Sequence, residues 1–401
     1  MNAYMLRTLA IAGIASLAAC TSGSVDSAIP SQSQAVPSAG GASNVRAACP
    51  KAAPPGFARC FALIRTDVTP QRGVQPDVNG YKPYQLQAAY DLPSSTNGAG
   101  QVVGIVDAYD DPDAESDLGV YRAQFGLPAC TTANGCFTKV SQSGSHTKFP
   151  NPNPEWGGEI SLDLDMASAI CPNCKILLVE ANTSSLQNLA ESVDRAVKLG
   201  ATVVSNSYGG SGGGGSNKHY NHPGTIITAS SGDSGYGPSS PCDYATVVCI
   251  GGTSLHKSSN KRHWSETAWR GAGSGCATVV KKPSWQNDQG CTHRSEADVA
   301  AVADPQTGVA VYDTFGSRGW GIEGGTSVAS PIIASVFALA GNASTQNYAG
   351  GIWAAGGTSS LNDVTEDSNG TCPPKYPYIC QAGPGYDGPT GWGTPNGLGA
   401  F

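Results

Sequence analysis

A three-layer α/β fold, with a mostly parallel central sheet flanked by helices, is what this 401-residue sequence predicts. Two observations carry the prediction. The run Gln101-Val-Val-Gly-Ile-Val106 is apolar without polar alternation, the pattern of a strand buried on both faces. Short runs of this kind then alternate with helical stretches, which calls for crossover connections and parallel pairing. Hydrophobic residues make up 39% of the chain, enough for a large core, while 52 glycines and 27 prolines imply many tight loops around it.

The elements follow in order. The first buried strand, 101–106, leads into a turn holding Asp107, Asp110 and Asp111. Residues 159–170 have helical character and end at Cys171-Pro172. A strand is expected over 175–179 and a helix over 185–199, stopped by Gly200. Further strands are expected over 202–205, 225–229 and 247–250, with a glycine-rich surface loop at 210–215. A last apolar helix spans 332–340.

Charged residues are only 13% of the chain, and the formal charge is −7. No basic stripe exists, so nucleic acid is not an expected partner. A low density of carboxylates also suits a protein exposed to acid.

The N-terminus reads as an export signal over residues 1–20. Arg7 precedes an apolar stretch, 9–19, too short to serve as a stable membrane span. It ends Leu17-Ala-Ala-Cys20, which resembles a bacterial lipobox, while cleavage after a small-residue site is the other reading. Localisation is therefore expected outside the cytoplasm, free or lipid-anchored, with the membrane met only through that lipid. Residues 21–48 are a Ser, Ala, Gly and Pro-rich tether. Residues 49–79 form a short extension with a cysteine pair and an apolar run at 61–64.

Of thirteen cysteines, Cys20 goes with the signal, and the other twelve fall into six close pairs. Six short-loop disulfides are the simplest pairing in an oxidising compartment, although spacing does not fix connectivity. Cys171-Pro-Asn-Cys174 fits a redox or zinc CxxC as well as a structural clip. No second CxxC accompanies it, which favours the clip. Three Asn-x-Ser/Thr sequons, at Asn182, Asn342 and Asn369, need no glycan in a bacterial chain.

Residues 324–331 read Gly-Gly-Thr-Ser-Val-Ala-Ser-Pro and lead into the apolar helix. A serine at a helix N-terminus lies in a positive local field with free backbone N–H groups nearby; it can equally be a helix cap. Pro331 is read as lying in the first turns, where its missing N–H costs little. None of the six histidines has the His-Gly-Thr context of a subtilase base, and each reads as a surface or packing residue. Another base is needed. In Gly158-Glu-Ile-Ser-Leu-Asp163-Leu-Asp165, Glu159 and Asp163 are four apart and share one helix face, while Asp165 belongs to another. The apolar residues around them, Ile160, Leu162, Leu164 and Met166, suggest burial rather than a solvated face.

The serine octet resembles the nucleophile motif shared by subtilases and sedolisins. With the Glu-x-x-x-Asp helix, the chain resembles the sedolisin family of serine-carboxyl peptidases. Two further segments agree: Tyr81 to Tyr90 resembles the opening of sedolisin catalytic domains, and Ser231-Gly-Asp233-Ser-Gly235 the oxyanion-hole loop. The resemblance runs from about residue 80 to residue 401 and implies a subtilisin-like peptidase domain over 80–401. It implies Ser327 as nucleophile, Glu159 as general base and acid, Asp163 as its partner and Asp233 as oxyanion donor. Ser207, Tyr208 and Gly209 resemble the strand edge that lines the substrate cleft. Asp107 stands where subtilases keep their catalytic aspartate and is read as extending the carboxylate network. The family's long folding prosegment has no counterpart here, which puts zymogen control in doubt.

Near the C-terminus, Leu361-Asn-Asp363-Val364 and Ala382-Gly383-Pro-Gly385-Tyr-Asp387 offer carboxylates and turn carbonyls to a hard cation. Alone these are ordinary turn residues. The resemblance implies one calcium ion held by Asp363, Val364, Gly383, Gly385 and Asp387. The expected function is an exported endopeptidase with an acidic optimum, acting on protein or peptide substrates as a monomer. Two other readings stand beside it. One is an inactive cell-surface binding protein on the same fold. The other, a lipase or esterase, lacks a Gly-x-Ser-x-Gly elbow.

Overall fold

The computed structural model describes residues 44–211 and 217–401. The expected export signal, the lipobox, the tether up to residue 43 and residues 212–216 of the glycine-rich loop lie outside the described residues.

The chain opens with three short strands, β1 (Val45–Ala47), β2 (Ala58–Cys60) and β3 (Leu63–Arg65), before helix α1 (Pro83–Ala89). An alternating α/β body follows: β4 (Val102–Ala108), α2 (Ala114–Gln124), β5 (Phe137–Ser141), α3 (Pro154–Ile170), β6 (Lys175–Ala181), α4 (Leu186–Lys198), β7 (Val203–Asn206), β8 (Tyr208–Gly210) and β9 (Ile226–Ser230). Strands then dominate: β10 (Val248–Lys257), β11 (Trp264–Ala268), β12 (Gly275–Lys281), β13 (His293–Glu296), β14 (Val299–Val302), β15 (Val309–Asp313) and β16 (Gly319–Gly324). Helices α5 (Thr326–Ala340) and α6 (Gly350–Ala355) precede two-residue strands β17 (Leu361–Asn362) and β18 (Thr394–Pro395).

The central sheet has the order β11-β10-β9-β7-β4-β6-β5, with β14 also pairing β10. Every pairing in it is parallel except β10 with β11. This is the expected fold class. Val103, Ile105 and Val106 of β4 are fully buried because helices cover both faces. Helix α4 lies on one face, turning Leu186, Leu189, Ala190 and Val193 inward; the Ser185 hydroxyl caps it by accepting from Asn188 N at 3.1 Å. Helices α3 and α5 pack together against the sheet. Helix α5 is apolar nearly all round, while α3 also carries Glu159, Asp163 and Asp165 inward; every residue from Trp156 to Ile170 and from Thr326 to Leu339 is buried.

A second, antiparallel sheet, β1-β3-β16-β15, includes the N-terminal extension. The sequence reading had no strands between residues 250 and 324. The twelve cysteines form six disulfides between neighbours: Cys49–Cys60, Cys130–Cys136, Cys171–Cys174, Cys242–Cys249, Cys276–Cys291 and Cys372–Cys380. The CxxC at Cys171 is thus a clip. Among the described residues, no helix is long and apolar enough to cross a membrane.

Candidate active site

Gly325 starts α5 with φ +95°, a conformation that favours glycine, and Thr326 is the first helical residue. Ser327 therefore sits in the first turn, in the positive end of the helix field. Its Oγ points to Ser207 O at 3.2 Å. Pro331 departs from the sequence reading: it lies inside α5, past the first turn. Its missing N–H leaves the Ser327 carbonyl without its usual partner four residues on. The Ser207 hydroxyl approaches that carbonyl at 3.4 Å.

Helix α3 starts earlier than expected, at Pro154. The Asn153 side chain caps it, accepting from Glu155 N and Trp156 N at 2.9 and 3.1 Å. The helix packs against α5, α2, α1, β15 and β4, which buries its acids. Glu159, Asp163 and Ser327 are all inaccessible to solvent. Glu159 lies near enough to Ser327 for the hydroxyl to act on its carboxyl, accepts from Ala62 N at 2.8 Å and keeps Oε1 buried without a hydrogen-bond partner. Asp163 accepts from the Ser207 hydroxyl at 2.7 Å. Ser207 thus joins Asp163 to the start of α5. Asp165 turns to the other side of α3, as its spacing predicts, and accepts from Tyr312 N at 2.8 Å.

Asp107, near the end of β4, is also fully buried, and both its oxygens lack a hydrogen-bond partner. Burial pushes its carboxyl up to about 8. Burial also holds Glu159 and Asp163 well above the ordinary carboxylate range. The negative charge of Asp107 is the next cause for both, so the three acids form one electrostatic group. Such a group retains protons that isolated carboxylates would lose.

Asp233 stands on the other side of the α5 N-terminus. Its Oδ1 accepts from Thr326 N at 2.8 Å and Thr326 Oγ1 at 2.9 Å, while Oδ2 is buried without a partner. Burial raises Asp233 to about 6, against the opposing pull of the Arg59 guanidinium. Arg59 and Thr326 were not read as site residues. Thr326 lies inside the quoted octet, but nothing local marks Arg59, which reaches the site from the N-terminal extension.

The strand edge expected to line the cleft, Ser207 to Gly209, does border the site, and β2 of the chain itself lies antiparallel along it. All six histidines are at least partly exposed. His219 and His222 bind Asp194 at 2.6 and 2.8 Å, and none enters the group around Ser327.

Four of the five expected calcium ligands, Asp363, Gly383, Gly385 and Asp387, come together near the C-terminus, and Val364 follows Asp363 in the chain. Gly385 N donates to Asp363 Oδ2 at 2.9 Å and Gly383 N to Asp387 Oδ2 at 3.2 Å, drawing the two segments into one turn cluster. Asp387 is fully buried and also accepts from Thr390 N at 2.9 Å. Asp363 is near enough for its charge to act on Asp387, and neither carboxylate forms a salt bridge among the described residues. Two uncompensated carboxylates among glycine-turn carbonyls are a hard oxygen donor set that fits calcium. The group Cys242, Cys249 and Glu296 also clusters, but its two sulfurs are joined as a disulfide.

The chain is similar to known proteins over most of its length. The subtilase family model matches residues 149–355, just over half of the chain. Kumamolisin of Bacillus sp. (strain MN-32) is 28% identical over 358 residues, covering 79% of this chain and 62% of its own length. Sedolisin of Pseudomonas sp. (strain 101) is 25% identical over 363 residues, covering 79% of this chain and 60% of its own. The chain therefore spans less than two thirds of either relative. A solved structure of Pseudomonas sedolisin, a serine-carboxyl proteinase complexed with pseudo-iodotyrostatin, superposes with a TM-score of 0.67 at 25% identity, covering 80% of this chain and 96% of that one. Sphericase shares the fold at 16% identity, with a TM-score of 0.52 over 81% of this chain and 99% of its own. The chain belongs to the subtilase family.

Proposed function

We propose that this protein is a serine-carboxyl peptidase that hydrolyses peptide bonds through an acyl-enzyme in acid. The observation that carries the reading is the group of buried carboxyls, Glu159 and Asp163, gathered around Ser207 and Ser327 in a site that no histidine enters. Ser327 Oγ attacks the substrate carbonyl and Glu159 takes its proton. Asp163 and Asp107 keep Glu159 in a proton-sharing group. Asp233, protonated, donates from Oδ2 to the oxyanion. Glu159 then returns the proton to the leaving amine, and water repeats the sequence on the acyl-enzyme. Ser207 to Gly209 bind the substrate backbone.

Calcium would be held by Asp363, Val364, Gly383, Gly385 and Asp387. It would fix the C-terminal turns and takes no part in the reaction. Export through residues 1–20, a tether to 48, an extension over 49–79 and a peptidase domain over 80–401 complete the proposal, with proteins or peptides as substrates and a monomer as the working unit. The test is hydrolysis of denatured protein at acid pH by the wild type and by Ser327→Ala. Equal activity of the two, or none in a folded wild type, would overturn the reading, and the second outcome would favour a binding protein.

A further inference from the structure

We propose that the Ser207 hydroxyl is a positioning group that prepares Asp163 to receive the proton Glu159 takes from Ser327. The proposal rests on the peptidase reading above, which gives Ser207 a backbone role and leaves its side chain without one. It comes from the seam between helix α5 and the sheet.

Strands β7 and β9 both pack on α5, with Ser205 opposite Thr228 in their parallel register. Side chains two apart on a strand share a face. Ser205 of β7, Ser207 just past its end, and Thr228 and Ser230 of β9 all turn toward α5, and all four are buried. Three of them meet polar atoms of the helix. Ser205 Oγ and Thr228 Oγ1 each lie 2.9 Å from Ser330 Oγ. Ser230 Oγ donates to Thr326 O at 2.8 Å. Ser207 is the one that reaches a carboxyl, donating to Asp163 Oδ1 at 2.7 Å.

The Ser207 hydroxyl has a second acceptor in view. Pro331 leaves the Ser327 carbonyl free of its usual N–H, and that carbonyl lies 3.4 Å from Ser207 Oγ. The contact with Asp163 has an ordinary O–H···O length, and the one with Ser327 is long. The hydroxyl proton therefore lies toward Asp163. Oδ1 is occupied as an acceptor, and Oδ2, buried without a partner, is the oxygen open to an incoming proton.

The three neighbouring acids differ in how many donors they meet. Asp107 has none on either oxygen, so its anion has nothing to stabilise it. Glu159 accepts from Ala62 N, and Asp163 from Ser207. Asp107 is thus the acid that keeps its own proton, while Asp163 is held ready as an acceptor one helical turn from Glu159. The proton leaves Ser327 Oγ, passes through Glu159 to Asp163 Oδ2, and returns the same way to the leaving amine. Only O–H and N–H bonds change in this relay.

The charged groups that face Asp163 are Glu159 from its own helix and Asp107 from β4. Helices α1 and α5 carry no charged residue. On α2, Glu115 binds Thr132, Asp117 binds Thr314 and Arg122 binds Ser168. On β15, Asp313 accepts from Phe315 N and Gly316 N.

The sign of the pH effect follows. A donor to a carboxylate favours its anion. The Ser207 bond pulls Asp163 down, against burial and the charges of Asp107 and Glu159. Without that bond Asp163 fills with a proton at a higher pH, and the relay has no vacant end. The acid limb of the rate profile then moves toward neutrality. Asp233, on the other side of the α5 N-terminus, does not contact Ser207, so the alkaline limb stays.

The test measures kcat and KM on one peptide against pH for the full chain and its variants, each checked by a melting curve. Ser207→Ala should move the acid limb up by about one pH unit, the worth of a hydrogen bond to a carboxylate. KM should change less than about twofold, because the peptide group of Ser207 is untouched. Ser207→Cys, whose thiol is a weak donor of similar size, should lie between the two. Ser205→Ala, in the same seam but bonded to Ser330, should lower the Tm and leave both limbs in place. Limbs of Ser207→Ala and Ser207→Cys at the wild-type pH, a rise in KM with kcat unchanged, or an equal shift in Ser205→Ala would overturn this inference and spare the peptidase reading. A folded wild type inert on the peptide at every pH would overturn both.

Discussion

Asp233 holds Thr326 with one oxygen: Oδ1 accepts both the Thr326 backbone N–H at 2.8 Å and its hydroxyl at 2.9 Å. That leaves Oδ2 as the position for a proton, at the side where Phe61 O approaches Gly325. The division of labour between the two oxygens has a direct consequence for pH dependence.

A carboxyl donates only while protonated, and burial raises Asp233 to about 6. Below that value the donor is present; above it, an anion faces the developing oxyanion. We expect kcat/KM on a peptide substrate to fall as pH rises through about 6. In Asp233→Asn, the amide oxygen can still accept from Thr326 and the NH2 can donate without titrating. This variant should lose activity in acid but keep a larger share of it at pH 7 than the wild type does. A pH–rate profile of both proteins checks the point, and identical alkaline limbs would remove Asp233 from the role.

Ser327→Ala and Glu159→Gln should each lower kcat/KM by on the order of a thousandfold or more, since nucleophile and base act as a unit. The double variant should be little worse than either single one. Active-site titration and kinetics on one peptide provide the comparison. Additive losses would mean that Glu159 does not serve Ser327.

Stability should be greatest in acid. Unfolded carboxyls titrate near about 4. In the folded chain, burial holds Asp107 up to about 8, Asp111 to about 7 and Glu180 to about 9. Between those values the folded state binds the extra protons, so stability is fully present below about 4 and declines as pH rises toward about 9. The Tm should therefore be higher at pH 4 than at pH 8. Asp107→Asn should flatten the slope, because it deletes one of the titrating groups and keeps its shape. A steeper slope in this variant would contradict the assignment.

Chelation should lower the Tm of the wild type. An ion bound only by the folded state adds about 2.7 kcal/mol at a hundred times its Kd. Asp387→Ala should abolish the response to added calcium without changing the pH at which activity is lost. A chelator-insensitive wild-type melting curve would count against the site.

The residues legible in the sequence are those whose relation is local. Glu159 and Asp163 are one helical turn apart, and Ser327 sits in a contiguous octet, so spacing alone places each on its element. Asp107 was legible as the polar residue ending an apolar strand. The contact of Ala62 with Glu159 was not, since 97 residues separate them and neither local sequence marks the other. The same holds for Arg59 over Phe61. Strands β11 to β16 escaped notice because each is a short run: β14 and β15 are buried throughout and show no alternation, while β11 and β13 are mostly polar. The place of Pro331 was misread because the helix begins before its apolar run does, at Thr326.

The extension is stitched to the body on both sides of the Phe61–Ala62 bond. β1 pairs β3 through Val45–Arg65 and Ala47–Leu63, while β2 pairs β8. Further backbone bonds reinforce the ladders: Gly56 N donates to Ser211 O, Ala58 N to Ser184 O and Leu186 N to Gly56 O. The Cys49–Cys60 disulfide closes the stretch between β1 and β2 into a loop. Deleting residues 44–60 would unpair β3 and β8 at once, so a truncated chain should melt at a lower temperature than the full one.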